Sequence, residues 1–154
     1  MWLQGTASRD LPRADVNMRL VVDLERFKIP DIHLSEGYSI RRGINYEEDI
    51  ETWNYLLSHF RAWPFPTDRG DAVFFAYFND TPVGCLAALL TSGQRNVALF
   101  QAGFVLEEHR RRGLFTALVM ECLRYCKDNG KRYVRIAARP FLDDLWRGLG
   151  IVNE

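Results

Sequence analysis

The sequence predicts an α/β (α+β) domain with a mixed, mostly antiparallel central sheet flanked by helices. Three apolar runs separated by short turns, at 73–78, 83–90 and 97–106, are typical of an antiparallel meander. A helical run, Leu114–Asp128, and one more apolar run, Tyr133–Ala138, follow the meander. A strand reached through a helix lies parallel to the strand before that helix, so we expect 133–138 to lie parallel to 97–106.

The composition describes a globular protein with no overall attraction to anionic polymers. The chain has 154 residues, 47% of them hydrophobic, and its 20 basic residues balance 20 acidic ones. That length suffices for one domain with its own core. We therefore expect no nucleic-acid or membrane partner, and any anion recognition must be local.

The chain divides into an N-terminal extension, residues 1–36, and a domain spanning residues 37–154. The extension contains one strand-like run, Met18–Leu24, and Pro30 with the turn after it separates that run from the domain. The domain then opens with Tyr38–Arg41, which alternates apolar and polar residues like a half-buried strand.

A first helix is expected to begin near Asn45. Asn45 and Glu48 form a capping-box pattern, and apolar residues recur at helical spacing after them: Ile50, Trp53, Leu57 and Phe60. The prolines of Arg61–Pro66 end this helix. The aromatic segment Trp63–Phe65 then has two interpretations, a lid over the core or one wall of a substrate pocket.

Cysteine usage and the start of the chain favour a cytoplasmic location. Cys85, Cys122 and Cys126 match no disulfide framework, and the first residues lack the pattern of a signal peptide. Cys122 and Cys126 lie four residues apart on one helical face, which permits a metal pair. Core packing is the favoured interpretation because no histidine or further cysteine lies nearby, and we predict no metal site.

The densest cationic run, Arg110–Arg112, comes directly before Gly113 and the helical run. A helix N-terminus favours an anion, a glycine lets the backbone approach it closely, and arginines add paired donors. The pattern is therefore that of a pyrophosphate site. A solvated basic turn is the alternative, and the spacing alone leaves both open.

The segment Val105–Leu118, which reads VLEEHRRRGLFTAL, resembles the acetyl-CoA signature of the GNAT superfamily of acyl-CoA N-acyltransferases. The core of that signature is Q/R-x-x-G-x-G/A; Arg110 and Gly113 match it, while Phe115 stands where the family keeps a small residue. The order of elements and the late segment Leu145–Ile151 resemble the family as well.

The resemblance implies acetyl-CoA as the cofactor, held where the strand before the signature splays from the parallel strand after it. The pantetheine arm would bind main-chain groups of Phe104, Val105 and Leu106. The pyrophosphate would bind the turn and the first residues of the helix. These residues are Arg110, Arg111, Arg112, Gly113, Leu114 and Phe115.

The same resemblance implies an N-acetyltransferase acting on an amine of a small molecule, peptide or protein. Trp146 occupies the place of a tyrosine that often protonates the leaving thiolate, and indole is no useful proton source. Gln101 cannot titrate. Glu108 and Asp144 are the candidates for the general base. A non-catalytic acyl-CoA-binding or protein-interaction module is the alternative function.

The family usually continues past the late segment with two more strands, whereas this sequence ends at Glu154. Three explanations are open: a shortened chain, a partner chain that supplies strands, or Met18–Leu24 in the vacant place. Because an unpaired sheet edge invites association, we expect either a homodimer or replacement by the N-terminal strand.

Overall fold

The computed structural model describes residues 2–3, 18–91 and 95–138. Those residues form one sheet of seven strands and two α-helices. In chain order the elements are β1 (Trp2–Leu3), β2 (Met18–Asp23), β3 (Tyr38–Arg42), α1 (Tyr46–Leu57), β4 (Ala72–Phe78), β5 (Thr81–Leu89), β6 (Val97–Val105), α2 (Leu114–Asp128) and β7 (Tyr133–Ala138). The late segment Leu145–Ile151 lies outside the described residues.

The strands lie in the order β1-β2-β7-β6-β5-β4-β3. β3, β4, β5 and β6 are antiparallel neighbours, which confirms the meander, and β7 is parallel to β6 as the helical connection predicts. β2 is antiparallel to β7, and only the two-residue β1 adds a second parallel pair. The predicted mixed, mostly antiparallel sheet is thus confirmed.

The strand of the N-terminal extension is part of this sheet. β2 pairs with β7 along its whole length, from Met18 opposite Ala138 to Asp23 opposite Tyr133. Leu24 N–H continues the contact by donating to Arg132 O at 2.7 Å. Among the three explanations for the sheet beyond β7, the structure shows the chain's own N-terminal strand in that place.

The start of α1 is fixed by two side chains. Asn45 Oδ1 accepts from Glu48 N–H at 2.9 Å, as the capping pattern predicts. The return bond of the predicted box is made by another residue, however, since the buried Asp49 accepts from the N–H groups of Ile44 at 2.6 Å and Asn45 at 3.0 Å. A carboxylate one residue further along lies on the inner face of the helix and reaches both donors.

The two helices cover opposite faces of the sheet. Phe74 contacts Tyr125 of α2, while Phe104 stacks on Phe60, just after α1, with ring centroids 5.1 Å apart. Neighbouring residues of a strand point to opposite faces. Phe104 lies opposite Cys85 on β5, so that row faces α1, and Phe74 lies opposite Leu86, so that row faces α2.

The three cysteines pack in the core between sheet and helices, which confirms the core packing predicted for Cys122 and Cys126. Cys85, Cys122 and Cys126 are fully buried. Burial raises the pKa of the Cys85 and Cys126 thiols to about 12 and that of Cys122 well above its ordinary value. Within the described residues, no three histidine, cysteine or acidic side chains converge to hold a metal ion.

Neither α1 nor α2, the two α-helices in the described part of the chain, is long and apolar enough to cross a membrane.

Candidate functional site

β6 and β7 separate part-way along their length. The two strands pair from Val97 opposite Tyr133 to Phe100 opposite Ile136, but β6 continues to Val105 and β7 to Ala138. β2 still pairs with β7 as far as Ala138, so β7 keeps its place in the sheet while β6 diverges from it. We call the opening between residues 101–105 and the end of β7 the gap.

A bulge in β6 lies where the gap begins. Its register against β5 shifts between Cys85 and Ala87, because Cys85 lies opposite Phe104 whereas Ala87 lies opposite Gln101. Ala102 has a positive φ of 58°, a conformation that costs a non-glycine residue free energy. An extra residue bends a strand and increases its local twist, which accounts for the divergence of β6 from β7.

The end of β6 presents main-chain groups to the gap. Leu106 N–H donates to Val83 O on β5 at 2.8 Å. Because adjacent residues of a strand direct their polar groups to opposite sides, those of Val105 point away from β5. Arg110 Nε reaches back and donates to Val105 O at 2.9 Å. Val105 is thus the residue whose carbonyl already receives a donor from the signature turn.

The side chains of the same segment fill both faces of the sheet. Phe104 is buried, with Phe60 stacked on it and the Arg110 guanidinium carbon 5.7 Å from its ring centre. Gly103 faces α2, and a Cβ there would lie 2.8 Å from Cε1 of Phe115 and 3.0 Å from Cδ1 of Leu86. The bulky Phe115 of the signature therefore packs on the strand at a residue that has no side chain.

A single 3₁₀ turn, Glu107–His109, joins β6 to the arginines. His109 Nδ1 and the Tyr38 hydroxyl are hydrogen-bonded at 2.8 Å, and the Phe78 ring lies 5.6 Å from the imidazole. The Arg112 guanidinium carbon lies 5.8 Å from the Tyr38 ring centre. His109 thus anchors the turn to β3 and β4.

The predicted anion site lies at the start of α2, which begins at the predicted residue. Gly113 is the N-cap residue, with a left-handed φ of 78°, and no side chain caps this end of the helix within the described residues. A Cβ on Gly113 would meet no described atom within 4 Å. A helix has no internal acceptors for its first N–H groups. The N-terminus of α2 therefore faces open space bordered by exposed arginines, as an anion site requires.

The two candidate bases differ in what the structure says of them. Glu108 is exposed on the 3₁₀ turn, beyond the end of β6. Asp144 lies outside the described residues, and so do Asp143 and Trp146. Gln101 is half-buried on β6 at the start of the gap. Among the described residues, the side chain of β6 at the start of the gap is thus an amide rather than an acid.

The aromatic segment after α1 both packs on the core and borders a hollow. Trp53 Nε1 donates to Trp63 O at 2.9 Å, and the Phe65 ring lies 5.4 Å from that of Trp53. Phe60, Arg61 and Trp63 line a hollow of about 480 Å³ beside the end of α1. Both interpretations of this segment, lid and pocket wall, thus have a structural counterpart.

A comparison with known families matches residues 35–148 to the Acetyltransferase (GNAT) family. The chain belongs to the GNAT family. Nearly three quarters of the sequence falls within the match, which includes β3 to β7 and both helices. No curated protein matches the sequence.

Solved structures share the GNAT fold at low sequence identity. A GCN5-related N-acetyltransferase from Kribbella flavida has a TM-score of 0.68 and 19% identity over 88% of this chain, which spans 53% of that protein. Glucosamine-6-phosphate N-acetyltransferase from Arabidopsis thaliana has a TM-score of 0.61 and 14% identity, with 77% and 94% of the two chains covered. An aminoglycoside N-acetyltransferase in complex with CoA has a TM-score of 0.60 and 20% identity, with 74% and 87% covered.

Two features of the sheet around the gap were not predicted from the sequence. The bulge at Ala102 had one available signal, because an isolated glycine such as Gly103 inside a strand pattern often marks a bulge. Arg135 of β7 also went unnoticed, although a charged residue in an otherwise apolar strand was visible in the sequence.

Proposed function

We propose that this protein is an acetyl-CoA-dependent N-acetyltransferase that transfers an acetyl group to an amine. One observation carries the proposal: the gap between β6 and β7 leads to the uncapped N-terminus of α2 at Gly113. An extended arm with amide groups fits along a strand edge, and a pyrophosphate fits a helix N-terminus. Coenzyme A has both parts joined in that order.

The proposed cofactor contacts follow from this geometry. Phe104, Val105 and Leu106 form the strand side of the pantetheine site, with Val105 as the main-chain partner because its polar groups point away from β5. The pyrophosphate site consists of the signature turn and the first turn of α2, namely Arg110, Arg111, Arg112, Gly113, Leu114 and Phe115. Backbone N–H groups and guanidinium groups then share the phosphate charge.

The proposed reaction is direct transfer. The neutral acceptor nitrogen attacks the thioester carbon, a C–N bond forms, the C–S bond breaks, and CoA leaves as a thiolate that gains a proton. The acceptor loses one proton to a general base. A main-chain N–H beside the gap would stabilise negative charge on the carbonyl oxygen, an effect of about 3 kcal/mol where one such donor was removed from another enzyme.

Glu108 and Asp144 remain our candidates for the base. Glu108 is exposed beyond the end of β6, so it would receive the proton through a water molecule rather than directly. If Glu108 is the base, Glu108→Gln should lower kcat and leave the affinity for acetyl-CoA unchanged. The kcat of Asp144→Asn and its affinity for acetyl-CoA test the second candidate in the same way.

The test is acetylation of a mixed amine panel by the full chain, followed by mass spectrometry of the amines. The control pair is Gly113→Trp and Gly130→Trp, because Gly130 stands at the other end of α2 with a similar φ of 81° and equally open surroundings. We expect product with the wild type and Gly130→Trp and none with Gly113→Trp. Equal activity of both variants would contradict the proposed cofactor site.

A second function, a non-catalytic acyl-CoA-binding module, is favoured by one specific observation. The half-buried residue of β6 at the start of the gap is Gln101, which cannot act as a base. Binding of acetyl-CoA that Gly113→Trp abolishes, together with no acetylated product from any amine, would support this function over the enzyme.

A further inference from the structure

The α1 face of β6 and β7 is more open than the α2 face. On the α2 face the strand residues are buried: Ala98, Phe100, Val134 and Ile136. On the α1 face Val97 and Phe104 are buried, whereas four residues are half-exposed: Leu99, Gln101, Tyr133 and Arg135. Since α2 covers one side of the gap, we expect an acceptor to approach from the α1 side.

Arg135 lies in the middle of this open face. It pairs with Leu99 on β6 and with Val21 on β2, one residue before the pairing of β7 with β6 ends at Ile136. Its Nε is buried and has no hydrogen-bond partner in the described part of the structure. No described carboxylate forms an ion pair with its guanidinium group either.

The acid that β2 brings to the same face is already engaged. Asp23 lies opposite Tyr133, two residues from the Arg135 pair, and its Oδ2 is 3.5 Å from Arg132. Its Oδ1 accepts from Glu25 N–H at 3.0 Å. Asp23 therefore has other partners, and among the described residues the charge of Arg135 is not balanced.

A second buried donor without a described partner belongs to the loop on this side of the sheet. Trp63 Nε1 is buried and makes no hydrogen bond to any described group. Its loop packs on α1 through Trp53, which places it with α1 rather than with α2. An unpaired buried N–H is unfavourable, so an acceptor oxygen that reached either group would stabilise it.

We propose that the amine acceptor carries an anionic group, a carboxylate or a phosphate, and that Arg135 binds this group on the α1 face beside the gap. The inference rests on the proposed acetyltransferase function and adds the substrate class. A guanidinium group binds either oxyanion through two parallel N–H donors. An unbalanced guanidinium charge in that place also repels polycationic acceptors, which require carboxylates around their ammonium groups.

The test compares matched amines that differ in one anion. The pairs are phenylalanine with phenylalaninamide and glucosamine 6-phosphate with glucosamine, and kanamycin represents polycations. The amide has the less basic amine, so chemistry alone favours the amide over the acid. We expect kcat/KM to favour the anionic member of one pair by about 10- to 100-fold, and the favoured pair identifies carboxylate or phosphate.

Arg135→Gln should remove that preference through KM, with kcat retained, and Arg135→Lys should restore part of it because lysine keeps the charge but loses the fork. Arg95→Gln is the control, because Arg95 is exposed in the turn before β6, at the end away from the gap. Preference for glucosamine, phenylalaninamide or kanamycin would overturn the proposal. So would an anion preference that Arg135→Gln leaves unchanged.

A binding measurement separates this inference from the proposed function. N-acetylphenylalanine and inorganic phosphate are titrated calorimetrically into the CoA-saturated protein. Binding of one of them that Arg135→Gln weakens and Arg95→Gln does not supports the inference, whether or not turnover occurs. Failure of both anions to bind while CoA binds overturns the inference alone. Failure of CoA itself to bind overturns the proposed function.

Discussion

The ring of Phe115 packs on Gly103, where an added Cβ would lie only 2.8 Å from Cε1 of the ring. Phe115 belongs to the first turn of α2 and Gly103 to the diverging part of β6, so this contact joins the two sides of the proposed cofactor site. The ring can occupy this position because residue 103 has no side chain. The departure of Phe115 from the GNAT signature is thus matched by a glycine on the strand beneath it.

Gly103→Ala should destabilise the protein by about 1–3 kcal/mol, because the new methyl group overlaps the Phe115 ring and Leu86. Urea denaturation measures this change. In the double variant Gly103→Ala, Phe115→Ala the overlap with the ring is gone and only that with Leu86 remains, so its loss of stability should be smaller than the sum of the two single losses. Strict additivity would show that the two residues do not restrict each other.

Replacing Arg111 with glycine should destabilise the protein less than replacing it with alanine. Its φ of 64° is left-handed, a conformation that costs an L-residue about 1–2 kcal/mol and glycine almost nothing. Arg111→Gly should therefore exceed Arg111→Ala in unfolding free energy, while both lose the same guanidinium group and bind acetyl-CoA more weakly. Equal stabilities of the two variants in urea would contradict this account of the turn.

Substitutions of Arg110 and Arg112 should both weaken acetyl-CoA binding but differ in their effect on stability. Arg110 Nε donates to Val105 O, whereas Arg112 is exposed near Tyr38. Arg110→Ala should cost about 1 kcal/mol of stability as well as affinity for acetyl-CoA. Arg112→Ala should lower affinity with little change in stability. Equal unfolding free energies for the two variants, measured in urea, would mean that the bond to Val105 contributes nothing.

The three thiols should be unreactive in the native protein. Cys85, Cys122 and Cys126 are fully buried, and burial keeps them protonated, with a pKa of about 12 at Cys85 and Cys126. A disulfide reagent near neutral pH should label none of them before unfolding and all of them in urea. Rapid labelling of Cys122 or Cys126 in the folded protein would contradict the placement of α2 on the sheet, and rapid labelling of Cys85 would contradict the burial of β5.

Burial of these thiols also predicts a direction for stability at alkaline pH. Each buried thiol has a pKa above the ordinary value of 9.0, so the unfolded chain loses its proton first as pH rises. The contribution of the protonated thiol to the free energy of unfolding is complete below pH 9 and declines between pH 9 and about 12. Cys85→Ala should reduce that decline in urea unfolding measured at several pH values.

Much of the fold could be predicted because its signals are local. The limits of α2 match the prediction residue for residue, since an apolar stripe ends at Asn129 and Gly130. The parallel placement of β7 followed from the helix between two strands. These features depend on periodicity and turn residues, which a sequence displays directly.

The remaining features depend on contacts between distant residues. The bulge at Ala102 arises from how β6 pairs with β5, and Asp49 rather than Glu48 completes the cap because it lies on the inner face of α1. The unpaired state of the Arg135 Nε depends on which side chains surround it. None of these contacts leaves a pattern at fixed spacing in the sequence.

Calorimetric titration of acetyl-CoA, CoA and 3′-dephospho-CoA into the wild type, Gly113→Trp and Gly130→Trp tests the central claim most directly. All three ligands carry the pyrophosphate, so the account predicts that each binds the wild type and Gly130→Trp and that none binds Gly113→Trp. Undiminished binding to Gly113→Trp, or loss of binding in both glycine variants alike, would contradict the assignment of the pyrophosphate to the start of α2.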